Sequence, residues 1–378
     1  MRILITGGAG FIGTHLSRNL LHRGHEVVVL DSFLPQVHGE NKELSNDLKS
    51  HVELFTGNVC DLEIVNKALK NCDAVVHFAA ETGTGQSMYE ISRYERTNIG
   101  GTANLLECIF AEKNHNVNKI VLASSRAVYG EGKYRCVLHG DFHPLDRDLN
   151  ELNQGQYDPL CPKCLNIGSP VATDEISPYN PGSFYGITKQ VQEQMINMFT
   201  LSKNLTAISL RYQNVYGPGQ SLKNPYTGII SIFSNLARMN KKIEIFEDGL
   251  ESRDFVYVDD VVQATVLSIE NENSNQSSVY NVGMGKQTSV LEIASTIIEN
   301  INPENEIEVT GKYRIGDIRH NFADISKISA DLGYNPKWDI KLGISNFLEW
   351  AMKQDVDNSG YEKSLKELAK NNLLKSTK

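Results

Sequence analysis

The stretch Ile3–Gly13, I-L-I-T-G-G-A-G-F-I-G, constrains the fold of this chain more than any other. Ile3, Leu4 and Ile5 form an apolar run of buried-strand length, Thr6 ends it, and Gly7, Gly10 and Gly13 follow at three-residue spacing. His15, Leu16, Asn19, Leu20 and Leu21 continue with helical character. Strand, glycine turn and helix, in that order, is the context a dinucleotide site requires. Gly7 permits a tight turn, Gly10 lets backbone approach a pyrophosphate, and Gly13 lets helix and strand pack closely. The start of that helix offers unpaired N–H groups and a positive dipole end to phosphate.

The alternation continues. Strands are predicted at 26–31, 51–55, 73–80 and 119–125, with a helix over 97–110, and Asp61 is placed to cap the helix that follows Asn58 and Val59. Repeated β-α-β units of this size imply an α/β, doubly wound parallel sheet of Rossmann type, with ligands beyond the carboxyl ends of its strands. Those ends carry Gly7, Asp31, Ala79, Ala80, Ser124 and Ser125. Asp31 is positioned to accept hydrogen bonds from an adenosine ribose, and no Arg or Lys follows it before Lys42, which favours NAD over NADP. Ala79 and Ala80 are small enough for a cofactor to lie across the strand end.

A net charge of −9 without a long basic block argues against nucleic acid as a partner. No apolar run reaches the roughly 18 residues of a membrane span. The N-terminal apolar run is too short and too glycine-interrupted for a signal peptide, so a cytoplasmic protein is expected. Of six cysteines, Cys60, Cys72 and Cys108 are scattered and read as thiols in a reducing compartment.

Tyr185 and Lys189, in S-F-Y-G-I-T-K-Q, open a helix running to about Ser202, and four-residue spacing puts them on one face. A free phenol, with a pKa of about 10, is a poor base at neutral pH. A neighbouring ammonium favours the phenolate, so Lys189 is expected to activate Tyr185, and Ser125 offers a hydroxyl to share a proton with a substrate alcohol.

With those residues in hand, the chain resembles the extended short-chain dehydrogenase/reductases, and within them the nucleotide-sugar epimerases. The matching pieces are T-G-G-A-G-F-I-G at 6–13, H-F-A-A at 77–80, S-S-R-A-V-Y-G at 124–130, Y-G-I-T-K at 185–189, L-R-Y-Q-N-V-Y-G-P-G at 210–219 and R-D-F-V-Y-V-D-D-V at 253–261. The resemblance implies Tyr185 as base, Lys189 as its partner and Ser125 as the substrate-orienting hydroxyl. It implies NAD contacts from Gly7, Gly10, Phe11, Ile12, Gly13, Asp31, Asn58, Val59, Ala79, Ala80 and Asn98. It implies nucleotide-diphosphate-sugar contacts from Thr82, Gln86, Arg126, Asn214, Arg253, Arg314 and Asp317, the last two in Y-R-I-G-D at 313–317. The 4,6-dehydratases of the family carry an Asp-Glu pair after the hydroxyl residue; here Arg126 and Ala127 stand there, which argues against elimination. D-S-F-L-P-Q-V-H-G, G-P-G-Q-S-L-K-N-P-Y-T-G and Y-R-I-G-D-I-R-H look closest to dTDP-L-rhamnose 4-epimerases. A UDP-sugar 4-epimerase, a 4-keto nucleotide-sugar reductase and an NAD-sensing regulatory protein remain as alternatives.

Ser125 and Tyr185 stand sixty positions apart, long for this family, and the excess lies over 135–172. It contains Cys136-Val-Leu-His139 and Cys161-Pro-Lys-Cys164, two knuckles with the spacing of a zinc ribbon in which one His replaces a Cys. Four such ligands close a tetrahedral shell, so a structural zinc is expected, with His143 as a spare ligand. The alternative is two unrelated thiol pairs in a solvated loop.

The expected organisation is a Rossmann domain from 1–215 with 253–282, and a smaller interleaved α/β nucleotide-sugar domain from 216–252 with 283–354. Phe255–Val258 and Val279–Val282 are expected to return to the main sheet. Asn271–Ser278 reads as a polar surface loop. The tail, 355–378, reads as an amphipathic helix or a frayed end and is assigned no chemistry. Helices around 92–112 and 185–202 are those the family uses to dimerise, which implies a homodimer.

Overall fold

Ile3, Leu4 and Ile5 have no solvent exposure, and neither do Val28, Val29, Val75 and Val76 in two neighbouring strands of a seven-stranded sheet. These runs are apolar throughout because both faces of a parallel sheet are covered. The computed structural model describes residues 1–111, 116–203, 205–224, 226, 228–271, 277–356 and 359–377. The main sheet comprises β1 (Arg2–Thr6), β2 (Glu26–Asp31), β3 (Val52–Thr56), β4 (Ala74–His77), β5 (Lys119–Ser125), β6 (Thr206–Tyr212) and β7 (Ser278–Val282). Its order is β7-β6-β5-β4-β1-β2-β3, every pairing is parallel, and the direction of winding reverses between β1 and β4.

Alternate residues of each strand feed opposite cores. Ile3, Ile5, Val27 and Val29 pack with Leu16 and Leu20 of helix α1 (Phe11–His22) on one face. Leu4, Val28, Leu30 and Val75 pack on the other face with Val65 and Leu69 of α2 (Leu62–Leu69), Leu105 of α3 (Gly101–Ala111) and Ile196 of α4 (Phe184–Lys203). Asp61 caps α2 as expected, accepting from the N–H groups of Glu63 and Ile64.

Two elements depart in kind from the sequence reading. Residues 95–100 form a π-helical turn before α3 rather than regular α-helix. Gly100 and Gly101 lie at the junction, where low helix propensity weakens the regular ladder. Ser278–Val282 joins the main sheet beside β6, but Phe255–Tyr257 does not; it pairs in parallel with Asn214–Tyr216 as a separate ribbon. The chain changes partner at Gln213: its N–H donates to Val282 O, whereas the next, Asn214 N–H, donates to Asp254 O. The tail forms α9 (Ser359–Lys370), after α5 (Ile229–Arg238), α6 (Val258–Glu270), α7 (Val290–Ile301) and α8 (Ile340–Ala351). A final strand, Leu374–Ser376, pairs antiparallel with Lys312–Arg314. Most of the predicted loop at Asn271–Ser278, residues 272–276, lies outside the described residues.

The 135–172 excursion is built on a small antiparallel sheet of Lys133–Cys136, Gly140–Phe142 and Ser169–Val171. Among the described residues, no helix is long and apolar enough to cross a membrane.

Candidate active site

A cavity of about 590 Å³ opens along the carboxyl ends of the main sheet, at the point where its winding reverses. That is where open α/β sheets bind ligands, and the volume suits a small-molecule site. The glycine turn forms one wall. Gly7 has φ +69°, and a Cβ there would meet Ala79 N at 2.8 Å. At Gly13 a Cβ would stand 2.6 Å from Gly8 Cα, so helix and turn touch backbone to backbone. Asp31 accepts from Ala9 N–H at 3.0 Å and Phe33 N–H at 2.8 Å, which fixes its carboxylate at the end of β2. His38, unremarked in the sequence, faces it at 3.5 Å.

Every predicted cofactor residue except Asn98 lines this cavity. Asn98 is fully buried behind the wall. Its amide accepts from Glu81 N–H at 2.8 Å and donates to Thr188 Oγ1 at 2.9 Å, so it braces the loop after β4 against α4. Gln86 is likewise not at the wall; it is buried among Gln36, Tyr94 and Glu90. Both are amides whose hydrogen-bonding capacity fits a buried brace as well as a ligand, and sequence does not separate the two.

The chemistry-bearing trio meets at the middle of the cavity. Ser125 and Tyr185 line it together, and Ser125 Oγ accepts from Ala127 N–H at 3.1 Å. Lys189 Nζ lies 5.9 Å from the Tyr185 ring centroid and donates to Ala123 O at 2.8 Å. Burial pulls the Lys189 ammonium down to about 7, opposed by the Glu193 carboxylate one turn further along α4. Burial pushes the Tyr185 phenol up, opposed by Ser125 and Arg126. The expected activation of Tyr185 by Lys189 is therefore not what this geometry delivers by itself. Desolvation, which spacing alone does not reveal, dominates both groups. Glu193 is anchored by Arg211, Nη2 to Oε2 at 2.8 Å with both side chains buried, and by Ser124.

The far end of the cavity is cationic. Arg126 Nε donates to Asn214 Oδ1 at 3.1 Å. Arg253 donates to Ile318 O at 2.7 Å and meets Asp317 at 3.3 Å; Arg314 meets Asp317 at 2.7 Å. Burial disfavours a charged Asp317, but Arg314, Arg253, Arg147 and Arg126 outweigh it and hold the carboxyl far below its usual range. Thr82, Arg126, Asn214, Arg253, Arg314 and Asp317 all line the cavity. Guanidinium groups gathered this way suit a diphosphate, which they grip in two places.

Sequence reasoning missed three contributors. Arg147, from the excursion, donates to Glu247 at 2.6 Å and to Asp317 O at 2.8 Å. Glu251 lines the cavity with Oε2 unpartnered, and burial, with Glu247 nearby, pushes its carboxyl up to about 8. The tail supplies Tyr361, Ser364, Leu365 and Leu368 to the same wall, and Glu367 accepts from Tyr226 at 2.6 Å and Tyr89 at 3.0 Å. The helical spacing of these tail residues is visible in the sequence, but nothing local points that face at a ligand. Cys136, His139, Cys161 and Cys164 come together in the excursion. His143 does not join them; it contacts Ser177 at 3.1 Å.

Comparison with known proteins gives the site a context. The chain is 39% identical over 358 residues to the dTDP-L-rhamnose 4-epimerase of Burkholderia thailandensis, covering 94% of this chain and 96% of that one. The UDP-glucuronic acid 4-epimerase of Bacillus cereus, solved with UDP-glucuronic acid and NAD, superposes with a TM-score of 0.76 at 26% identity, covering 93% of this chain and 99% of that one. The UDP-glucose 4-epimerase of Thermotoga maritima, solved with UDP-glucose, superposes with a TM-score of 0.74 at 29% identity, over 93% and 99% of the two chains. The tight glycine turn, the carboxylate ending β2 and the small residues after β4 fit NAD, which would supply the hydride acceptor and donor. A family model matches residues 3–146 and 162–283, breaking only within the excursion, and the chain belongs to the NAD dependent epimerase/dehydratase family.

Proposed function

We propose that this chain is a nucleotide-sugar 4-epimerase interconverting dTDP-L-rhamnose and dTDP-6-deoxy-L-talose. The observation that carries the reading is the near full-length likeness to the Burkholderia thailandensis enzyme, in a chain whose Tyr185 and Ser125 both line the cavity. Tyr185 takes the proton from the sugar O4 as C4 is oxidised, and Ser125 orients that hydroxyl. The 4-keto sugar turns over, C4 is reduced from its other face, and Tyr185 returns the proton. Lys189 would hold the cofactor's ribose. Rotation of the sugar needs a fixed anchor away from C4, and Arg253 and Arg314 supply it at the diphosphate. Arg126 and Ala127 leave the site without the acid–base pair that elimination needs.

The deciding experiment incubates the protein with dTDP-, UDP- and GDP-sugars and follows C4 inversion by NMR. Inversion of dTDP-L-rhamnose without net NAD(H) consumption is expected. Stoichiometric NADH consumption with a 4-keto sugar would identify a reductase, and inversion confined to UDP-sugars would reassign the substrate.

The tail belongs to this reading. Deleting residues 355–378 removes four cavity residues, frees Tyr226 and Tyr89 of Glu367, and unpairs the strand that carries Arg314. The expected result is a KM for nucleotide sugar about tenfold higher, or roughly 1.4 kcal/mol of lost binding, with NAD content unchanged. Assembly as a homodimer through α3 and α4 is part of the proposal. Phe110, Met198 and Leu201 on those helices are 60%, 68% and 77% exposed, as an apolar face awaiting a partner copy would be. Light scattering at the mass of one chain would overturn it.

A further inference from the structure

The 135–172 excursion has no adequate core of its own. Its one buried apolar cluster is Leu152 and Tyr157 against Tyr313, while Val137, Leu138, Leu145, Leu165 and Ile167 are between 58% and 95% exposed. A segment this small and this poor in buried apolar surface holds one shape when a staple supplements it. The two knuckles supply the parts of one. Cys136 Sγ lies 3.6 Å from His139 Nδ1 and 3.6 Å from Cys164 Sγ, and Cys161 Sγ lies 3.5 Å from His139 Nδ1. All four ligand atoms fall within 4.8 Å of one another. A tetrahedral zinc with bonds of about 2.3 Å to sulfur and about 2.0 Å to nitrogen puts its sulfurs about 3.8 Å apart and sulfur about 3.5 Å from nitrogen. Three of the six edges, at 3.5 to 3.6 Å, are close to those of that tetrahedron, and the other three are no longer than 4.8 Å.

The backbone adds a second, independent observation. The residue after the second ligand is left-handed in both knuckles, Gly140 at φ 74° and Leu165 at φ 60°. Glycine takes this conformation freely, whereas an exposed leucine held there is strained by about 1–2 kcal/mol and persists only where its surroundings demand it. The turn closes with Leu165 N–H donating to Cys161 O at 2.8 Å.

The site has a route to the cavity. Asp158, three residues before Cys161, accepts from Arg319 Nε at 2.8 Å. Arg147, between the knuckles, holds Glu247 and the carbonyl of Asp317. Asp317 and Arg319 lie just beyond the strand that carries Arg314 and the turn that follows it. We propose that Cys136, His139, Cys161 and Cys164 bind one structural zinc ion, and that this ion fixes the excursion so that Arg147 and Asp158 hold the diphosphate-binding wall in place. Three thiolates and an imidazole complete the coordination, so no position is left for water or substrate and the metal takes no part in the reaction. His139, Arg147 and Asp158 act as positioning residues.

The metal half stands apart from the sugar reading and is tested without activity. Purified full-length protein is expected to carry one zinc per chain by elemental analysis. Cobalt exchanged into the site is expected to give the visible bands of a tetrahedral centre with thiolate charge transfer. His139 is exposed, so His139→Ala is expected to leave the fold intact while weakening metal retention at least tenfold, and His139→Cys is expected to restore it. The positioning half rests on the epimerase reading: metal-depleted His139→Ala is expected to raise KM for nucleotide sugar about tenfold with kcat and NAD content little changed, and His139→Cys to reverse this. Protein that is zinc-free and takes up no cobalt overturns the site, as does a Cys136–Cys164 disulfide in the purified chain. Loss of zinc without a change in KM overturns the positioning role alone.

Discussion

Tyr185→Phe is expected to lower kcat about 10³-fold or more while leaving NAD binding and the melting temperature close to those of the parent. Deleting one hydroxyl from a ring that keeps its edge contact with Tyr94, at 6.5 Å between centroids, removes no packing. What it removes is the phenol that lines the cavity with Ser125, and a positioned proton acceptor is worth about 10²–10⁴ in rate. The upper part of that range is expected here because the proton moves twice in each turnover, off O4 and back. Single-turnover measurement of 4-keto sugar formation checks it directly. A variant that retains more than a tenth of the parental rate removes Tyr185 from the mechanism. Ser125→Ala is expected to cost less, because it removes an orienting contact and leaves the acceptor in place.

Arg319→Met is expected to destabilise the protein by about 3 kcal/mol, the low end for breaking a buried charge pair, because Arg147 still partners Glu247. Arg319 is among the largest fully buried side chains described, at 1% exposure. Its guanidinium meets Asp158 at 2.8 Å, Asp248 at 2.6 and 2.9 Å and Glu247 at 3.1 Å. Methionine matches the length of the stem but leaves three carboxylates without this cation. Equilibrium denaturation checks the figure. Arg319→Lys is expected to recover only part of the loss, since one ammonium does not span acceptors on three sides of a planar fork. Stability equal to the parent in both variants would make this network decorative.

The comparison of sequence with structure is instructive where the two disagree. The parallel sheet was legible because buried strands impose continuous apolar runs, and β5 falls at the residues predicted for it. The glycine turn and Asp31 were legible because their spacing is set locally, by one strand, one turn and one helix. Tyr185 and Lys189 were legible as neighbours on a helix face, but their electrostatics were not. Depth of burial, set by elements far away in sequence, moves both groups more than they move each other. Asn98 and Gln86, implied as ligand contacts by the resemblance, are hydrogen-bonded behind the cavity wall, because an amide satisfies buried backbone as readily as substrate.

Periodicity and local spacing, carried in the chain itself, determined the Rossmann-type sheet, the place of its cofactor turn, the Ser125–Tyr185–Lys189 set and the paired Cys/His knuckles. Tertiary structure alone decided that the tail walls the cavity, that Phe255–Tyr257 leaves the main sheet, that burial raises the Glu251 carboxyl, and that the excursion reaches Asp317 through Arg147. The physical reason is range. Strand runs, turns and helix faces depend on neighbours within a few residues, whereas desolvation and ion pairing depend on which distant segments the packed fold brings within a few ångströms.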